Sequence, residues 1–79
     1  MCMIDATSVK VLPDYKLLVG FETGEEKVYD FKENLDFPAF KKLRNKNLFA
    51  KAHIDFGTVI WNDEIDIAAS ELYANGVPA

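Results

Sequence analysis

A chain of 79 residues, 49% hydrophobic and with a formal net charge of −4, predicts one domain, since a second would have too little chain to bury its own core. Its hydrophobicity excludes intrinsic disorder, and no stretch approaches the ~18 apolar residues that cross a bilayer. The acidic balance argues against a general nucleic-acid binder, whose footprint is an excess of basic charge.

The start, Met1-Cys2-Met3-Ile4-Asp5, lacks the charged region and apolar run of a signal peptide. Cys2, the one cysteine, cannot close an internal bridge, whereas secreted domains of this size use several. A cytoplasmic location is the expectation, with Cys2 incidental at a terminus.

The run from Ile4 to Leu12 alternates well enough for a strand. Pro13-Asp14 then makes a turn, because proline fixes φ and Asp can bond its own backbone. Tyr15 to Phe21 is the clearest strand, with Tyr15, Leu17, Val19 and Phe21 on one face at period two. Glu22-Thr23-Gly24-Glu25 is a hairpin signal in which Gly24 supplies the positive φ. Glu26 to Phe31 returns as the third strand of an antiparallel meander. A two-residue Thr23-Gly24 loop would set Val19 opposite Val28 and Leu18 opposite Tyr29.

After Phe31 the period changes. Asp36 is placed to cap a short helix with Pro38 in its first turn, where the missing N–H costs least. Phe37, Phe40 and Leu43 recur every third residue and make its apolar face. Asn45 or Asn47 breaks and restarts the helix, and Leu48 to Ala52 adds a turn or two. Ile54 to Phe56 and Thr58 to Trp61 read as short strands about Gly57, with Ile54 and Phe56 inward. Asn62-Asp63-Glu64 is a turn, and Ala68 to Asn75 a helix that stops at Gly76 before Pro78. The predicted order is βββ-α-ββ-α, an α+β fold on a mostly antiparallel sheet with short helices.

Charge is segregated along this chain. No carboxylate lies between Phe37 and Ile54, and that window holds Lys41, Lys42, Arg44, Lys46 and Lys51, five of the nine basic residues. The remainder carries 13 acids against 4 bases. Five cations free of acidic neighbours could contact an acidic protein or phosphates. The same pattern is what a helix makes when it buries one face and solvates the other.

Catalytic chemistry finds little to use. His53, the single histidine, shares a strand face with Asp55, which could orient its imidazole; a solvated strand face accounts for the pair equally. One Cys and one His make no zinc set, and Asp63, Glu64 and Asp66 lack the spacing of an EF-hand loop. They fit a turn and a helix start, with Asp66 near the N-terminus where negative charge is favoured. The four glycines are scattered and build no phosphate loop. The expectation is no enzyme, no cofactor and no metal.

Several segments together carry a family resemblance. Trp61, then Asp66-Ile67, then Leu72-Tyr73 is similar to the closing Trp-Pro-Asn-Gly-Ala-Asp-Ile and Leu-Tyr of a small bacterial family, domain-of-unknown-function family 2442. Val11-Leu12-Pro13-Asp14-Tyr15-Lys16-Leu17, Phe21-Glu22-Thr23-Gly24-Glu25 and Asp30 also match, and Phe40, Leu43 and Phe49 fall at its middle hydrophobic positions. The resemblance thus covers nearly all of residues 1–79. Two departures stand out: Asn62-Asp63-Glu64-Ile65 replaces the Pro-Asn-Gly-Ala turn, and Ala68-Ala69 replaces an Asp-Pro helix start, losing a cap worth ~1 kcal/mol.

The resemblance implies a compact α+β domain with no assigned activity and no catalytic residues to carry over. Family members are sometimes joined to a helix-turn-helix domain and often encoded beside another short protein, which implies a regulatory or antitoxin-like module. Trp61, Asp66 and Tyr73 match the family motif, and stability explains them: Trp61 ends a strand and packs, Asp66 begins a helix, and Leu72 and Tyr73 pin that helix. The expected function is therefore protein interaction, with nucleic-acid binding by Lys41 to Lys51 as the alternative. A homodimer through an edge strand of the meander is a further expectation.

Overall fold

The computed structural model describes residues 4–79, so Cys2 lies outside the described residues. In chain order it holds strands β1 (Ala6–Leu12), β2 (Lys16–Phe21) and β3 (Glu26–Asp30), followed by a 3₁₀ turn, Glu33–Asp36, and a 3₁₀ helix, Pro38–Arg44. Then come helix α1 (Lys46–Phe49), strands β4 (His53–Asp55), β5 (Thr58–Asn62) and β6 (Ile65–Ile67), helix α2 (Ala69–Asn75) and a short strand β7 (Val77–Pro78). The α+β fold is as the sequence predicts. Its strands, however, form two antiparallel sheets, β1-β2-β3-β7 and β4-β5-β6.

The meander forms because β2 buries Leu17, Val19 and Phe21 on one face at period two. Its second hairpin departs from the expected register. Phe21 and Glu25 pair across a three-residue loop, with Phe21 N–H donating to Glu25 O at 2.9 Å and Gly24 N–H to Phe21 O at 2.9 Å. Gly24, at φ 90°, takes the left-handed position that this longer loop requires. Leu18 therefore faces Val28 and Leu17 faces Tyr29, one residue out of step with a two-residue loop.

The expected helix over Phe37 to Leu43 is a 3₁₀ helix. Phe40 N–H donates to Phe37 O at 2.9 Å and Asn45 N–H to Lys42 O at 3.2 Å, each a three-residue step. Apolar residues at every third position suit three residues per turn better than 3.6, but only Phe40 and Leu43 pack on the core, and Phe37, expected on the same face, is 57% exposed. Phe37, not Asp36, is the N-cap, and Asp36 ends the preceding turn. Asn45 does restart the chain: its side chain accepts from Asn47 N–H at 2.9 Å and caps α1.

Two short strands escaped the sequence pattern. β6 alternates buried Ile65, exposed Asp66 and buried Ile67, so Asp66 sits mid-strand and does not begin a helix. β7 pairs Val77 with Val28 and Pro78 with Lys27, closing the first sheet. Gly76 is extended, at φ −74°, instead of left-handed. Glycine is needed there for space, since a Cβ would stand 2.6 Å from Leu72 O.

One core cluster joins the sheets, with Leu17, Val19 and Phe31 from the meander side and Val59, Trp61 and Ile67 from the other. Phe31 is fully buried at its centre, its ring 5.0 Å from Phe40, 5.8 Å from Phe49 and 5.3 Å from Trp61.

Candidate interaction surface

The basic window occupies the 3₁₀ helix, α1 and the turn after them, and Lys41, Lys42, Arg44, Lys46 and Lys51 are all exposed. Leu43 and Phe49, both buried, anchor this segment, so the cations are held outward by packing beneath them. They are not equivalent. Arg44 Nη2 pairs with Asp36 Oδ1 at 2.8 Å, and its Nε donates to Leu35 O at 3.3 Å. Lys42 approaches Glu64 at 3.9 Å across exposed surface. Lys46 lies 5.9 Å from the Tyr15 ring centroid, a weak cation–π geometry. Lys41 and Lys51 have no carboxylate partner among the described residues.

Tyr15 ties this segment to the first sheet. Its hydroxyl donates to Arg44 O, and its ring meets Phe49 edge-on with centroids 5.1 Å apart. Tyr15 and Asp14 both take left-handed φ, 60° and 64°, in the β1–β2 turn. That conformation is uncommon for an aromatic residue and marks a turn held by its tertiary contacts.

Two of the three family-motif residues, Trp61 and Tyr73, have side-chain partners within the fold. Trp61 is buried and donates through Nε1 to Phe49 O at 2.9 Å. Tyr73 packs edge-on against Phe21 at 5.1 Å, donates its hydroxyl to Glu25 Oε1 at 2.6 Å and lies under the Lys27 ammonium. The Tyr73 hydroxyl holds the Glu25 carboxyl below its usual range, helped by Thr23, and is itself pushed up by that carboxylate. Asp66 is exposed on β6.

His53 and Asp55 are both exposed on β4, and His53 Nδ1 lies 2.9 Å from Lys51 O. Neither is among the residues that line the cleft of about 620 Å³ described next. Asn62 Oδ1 accepts from Glu64 and Ile65 N–H, so the acidic loop is a tight turn; among the described residues no three His, Cys, Asp or Glu side chains converge. Between β3, the Glu33–Asp36 turn, α2 and β7 lies a cleft of about 620 Å³, lined by Asp30, Glu33, Asn34 and Glu71. Tyr29 at its floor has a raised pKa, chiefly from burial, although Asn34 donates to its hydroxyl at 2.9 Å.

Sequence reasoning misplaced Phe56. Expected inside, it is 97% exposed at the tip of the β4–β5 hairpin, at φ 50° beside Gly57 at φ 76°. Asp55 pairs with Thr58, so Phe56-Gly57 is a two-residue loop with both residues left-handed. The residue-plus-glycine pair between two alternating runs was the signal. Phenylalanine stands where asparagine or aspartate is usual.

The family described as Protein of unknown function (DUF2442) matches residues 6–78. The chain belongs to this family. No curated protein matches it. Among solved structures it is similar to the crystal structure of "Putative DNA Binding Protein NE0471" from Nitrosomonas europaea ATCC 19718, with 28% identity and a TM-score of 0.79. The similarity covers 94% of this chain and 51% of that one, so this DUF2442 chain spans about half the length of that protein.

Proposed function

We propose that this DUF2442 domain is a non-enzymatic regulatory module of the cytoplasm that binds an acidic face of another protein, as an antitoxin-like partner would. The observation that carries the reading is the exposed basic segment on a rigid base, in which Lys41 and Lys51 have no carboxylate partner among the described residues. Such a row of cations gives orientation and fast encounter with a complementary surface. Co-expression with the product of an adjacent gene tests it. The two should co-elute, and Lys41→Glu with Lys51→Glu should weaken the complex; separate elution sinks the idea.

A second reading, nucleic-acid binding by the same segment, is favoured by the name of the similar solved protein. The net charge of −4 and the intramolecular pairing of Arg44 weigh against it. It requires binding to DNA or RNA at low salt that falls steeply as salt rises. Absence of low-salt binding ends this second reading, whereas salt-sensitive binding abolished by Lys41→Glu with Lys51→Glu replaces the first.

A further inference from the structure

We propose that two copies of this chain pack face to face through the open side of the first sheet, about a two-fold axis that runs along β2 and β3. The observations are independent of the basic-segment reading.

The first sheet buries one face only. Leu17, Val19 and Tyr29 point into the core, so by alternation Lys16, Leu18, Val28 and Asp30 stand on the opposite side. A face turned to water is ordinarily polar. Here its middle row reads Lys10, Leu18, Val28 and Val77 across all four strands, and Leu12 lies in the row beside it. Leu12, Leu18 and Val28 are half-buried yet outside the core cluster, and Val77 is 66% exposed. The second sheet packs on the other side, through Val59, Trp61 and Ile67. The edges offer less to a second copy: β1 meets Gly57, whose oxygen accepts from Ala6 N–H at 2.9 Å, and β7 covers β3.

Charge on this face is self-complementary. Lys16 and Asp30 are opposite one another across β2 and β3, one row from Leu18 and Val28. Neither is in an ion pair among the described residues, although Asp30 Oδ1 accepts from Lys32 N–H at 3.0 Å. Turning a second copy about an axis midway between β2 and β3 sets its β3 over this β2. Leu18 then lies on the other copy's Val28, and Val28 on its Leu18. Lys16 likewise faces the other copy's Asp30, and Asp30 its Lys16, so four charges alternate in sign about the axis.

Register and spacing agree with this arrangement. Gly20 is opposite Glu26 in the next row, so the other copy's Glu26 comes down over a residue with no side chain. An axis across the strands would instead set Asp30 against the other copy's Glu26, and like charges oppose it. Stacked sheets lie ~10 Å apart, within the joint reach of a lysine and an aspartate side chain. The face is roughly 15–20 Å on a side, which is small for a stable dimer, so the pair is a weak one that forms at high concentration.

Light scattering across a concentration series reaching about 1 mM decides the matter. The native chain should shift from 8.9 kDa towards twice that mass as concentration rises. Leu18→Thr keeps a good strand former, so circular dichroism should be unchanged while the dissociation constant rises at least about fivefold. Lys16→Asp alone and Asp30→Lys alone each set like charges face to face and should stay monomeric. A one-to-one mixture of the two variants should pair, because every facing charge is then opposite in sign; contacts within one copy cannot produce that result. A native chain that stays monomeric at about 1 mM overturns the proposal. So does a dimer indifferent to Leu18→Thr, or a mixture of folded charge variants that fails to pair. Should Asp30→Lys fail to fold for want of the bond to Lys32 N–H, a Lys16→Asp variant that pairs as the native chain does overturns it instead.

Discussion

The indole of Trp61 in the second sheet donates to the main-chain oxygen of Phe49 in α1 at 2.9 Å, and the two rings lie 6.0 Å apart. This bond is the shorter of two that the Phe49 carbonyl accepts, the other coming from Ala52 N–H at 3.3 Å, and it fixes α1 against β5 beneath the basic segment. Trp61→Phe keeps an aromatic ring, leaves that carbonyl with Ala52 alone and opens a void where the indole was. The change should cost about 1–3 kcal/mol, most of it from the void. Urea denaturation at neutral pH measures it.

Gly24 stands at φ 90° with no atom within 4 Å of where a Cβ would be. Strain alone, without crowding, therefore sets the cost of Gly24→Ala, about 1 kcal/mol. Gly24→Asn should recover part of that loss, because Asn tolerates the left-handed region. A comparison of thermal midpoints for the two variants checks the order.

Glu25 and Tyr73 predict a pH dependence with two limbs. The Glu25 carboxyl is held low by the Tyr73 hydroxyl, so its stabilisation is present above the unfolded pKa of ~4.3 and is lost as pH falls through the folded value. The Tyr73 hydroxyl is pushed up by Glu25, so its share is present below ~10 and is lost as pH rises through the folded value. Tyr73→Phe should flatten both limbs. Urea midpoints followed across each range show whether it does.

The basic residues should separate into two groups. Arg44→Ala removes the Asp36 pair and the bond to Leu35 O and should cost about 1 kcal/mol. Lys41→Ala and Lys51→Ala should stay within about 0.5 kcal/mol of the native chain. A set of denaturation curves gives both answers, and it keeps loss of binding in the lysine variants from being mistaken for unfolding.

Much of the fold was written in local patterns. Leu17, Val19 and Phe21 alternate cleanly, and Asn45 restarts a helix as a capping residue does. What stayed hidden depended on distant neighbours. Ile65-Asp66-Ile67 is too short to declare itself a strand until β5 offers an edge, and Val77-Pro78 needs β3. The repeat of Phe37, Phe40 and Leu43 was visible, but its spacing of three marked a 3₁₀ helix. The charge of the candidate surface was equally plain, while its pairing was not: nothing local shows that Arg44 reaches back to Asp36 or that Lys41 is left alone. Phe56 failed for a related reason, because alternation assumes that a strand continues, and here it turned.

The pairing of Val77 and Pro78 with β3 has a consequence for how the chain acquires its shape. Partners at Val28 and Lys27 lie about fifty residues earlier, and the whole second sheet is enclosed in the loop between them. Closing such a loop costs entropy before any contact returns it, so this step belongs late in folding. The β1–β3 meander can form on its own local turns, and the tail then latches over it. In the reverse direction, the latch is where unfolding should begin, and the amide proton of Val77, the one that β7 carries since Pro78 has none, should exchange with solvent well before those of β2.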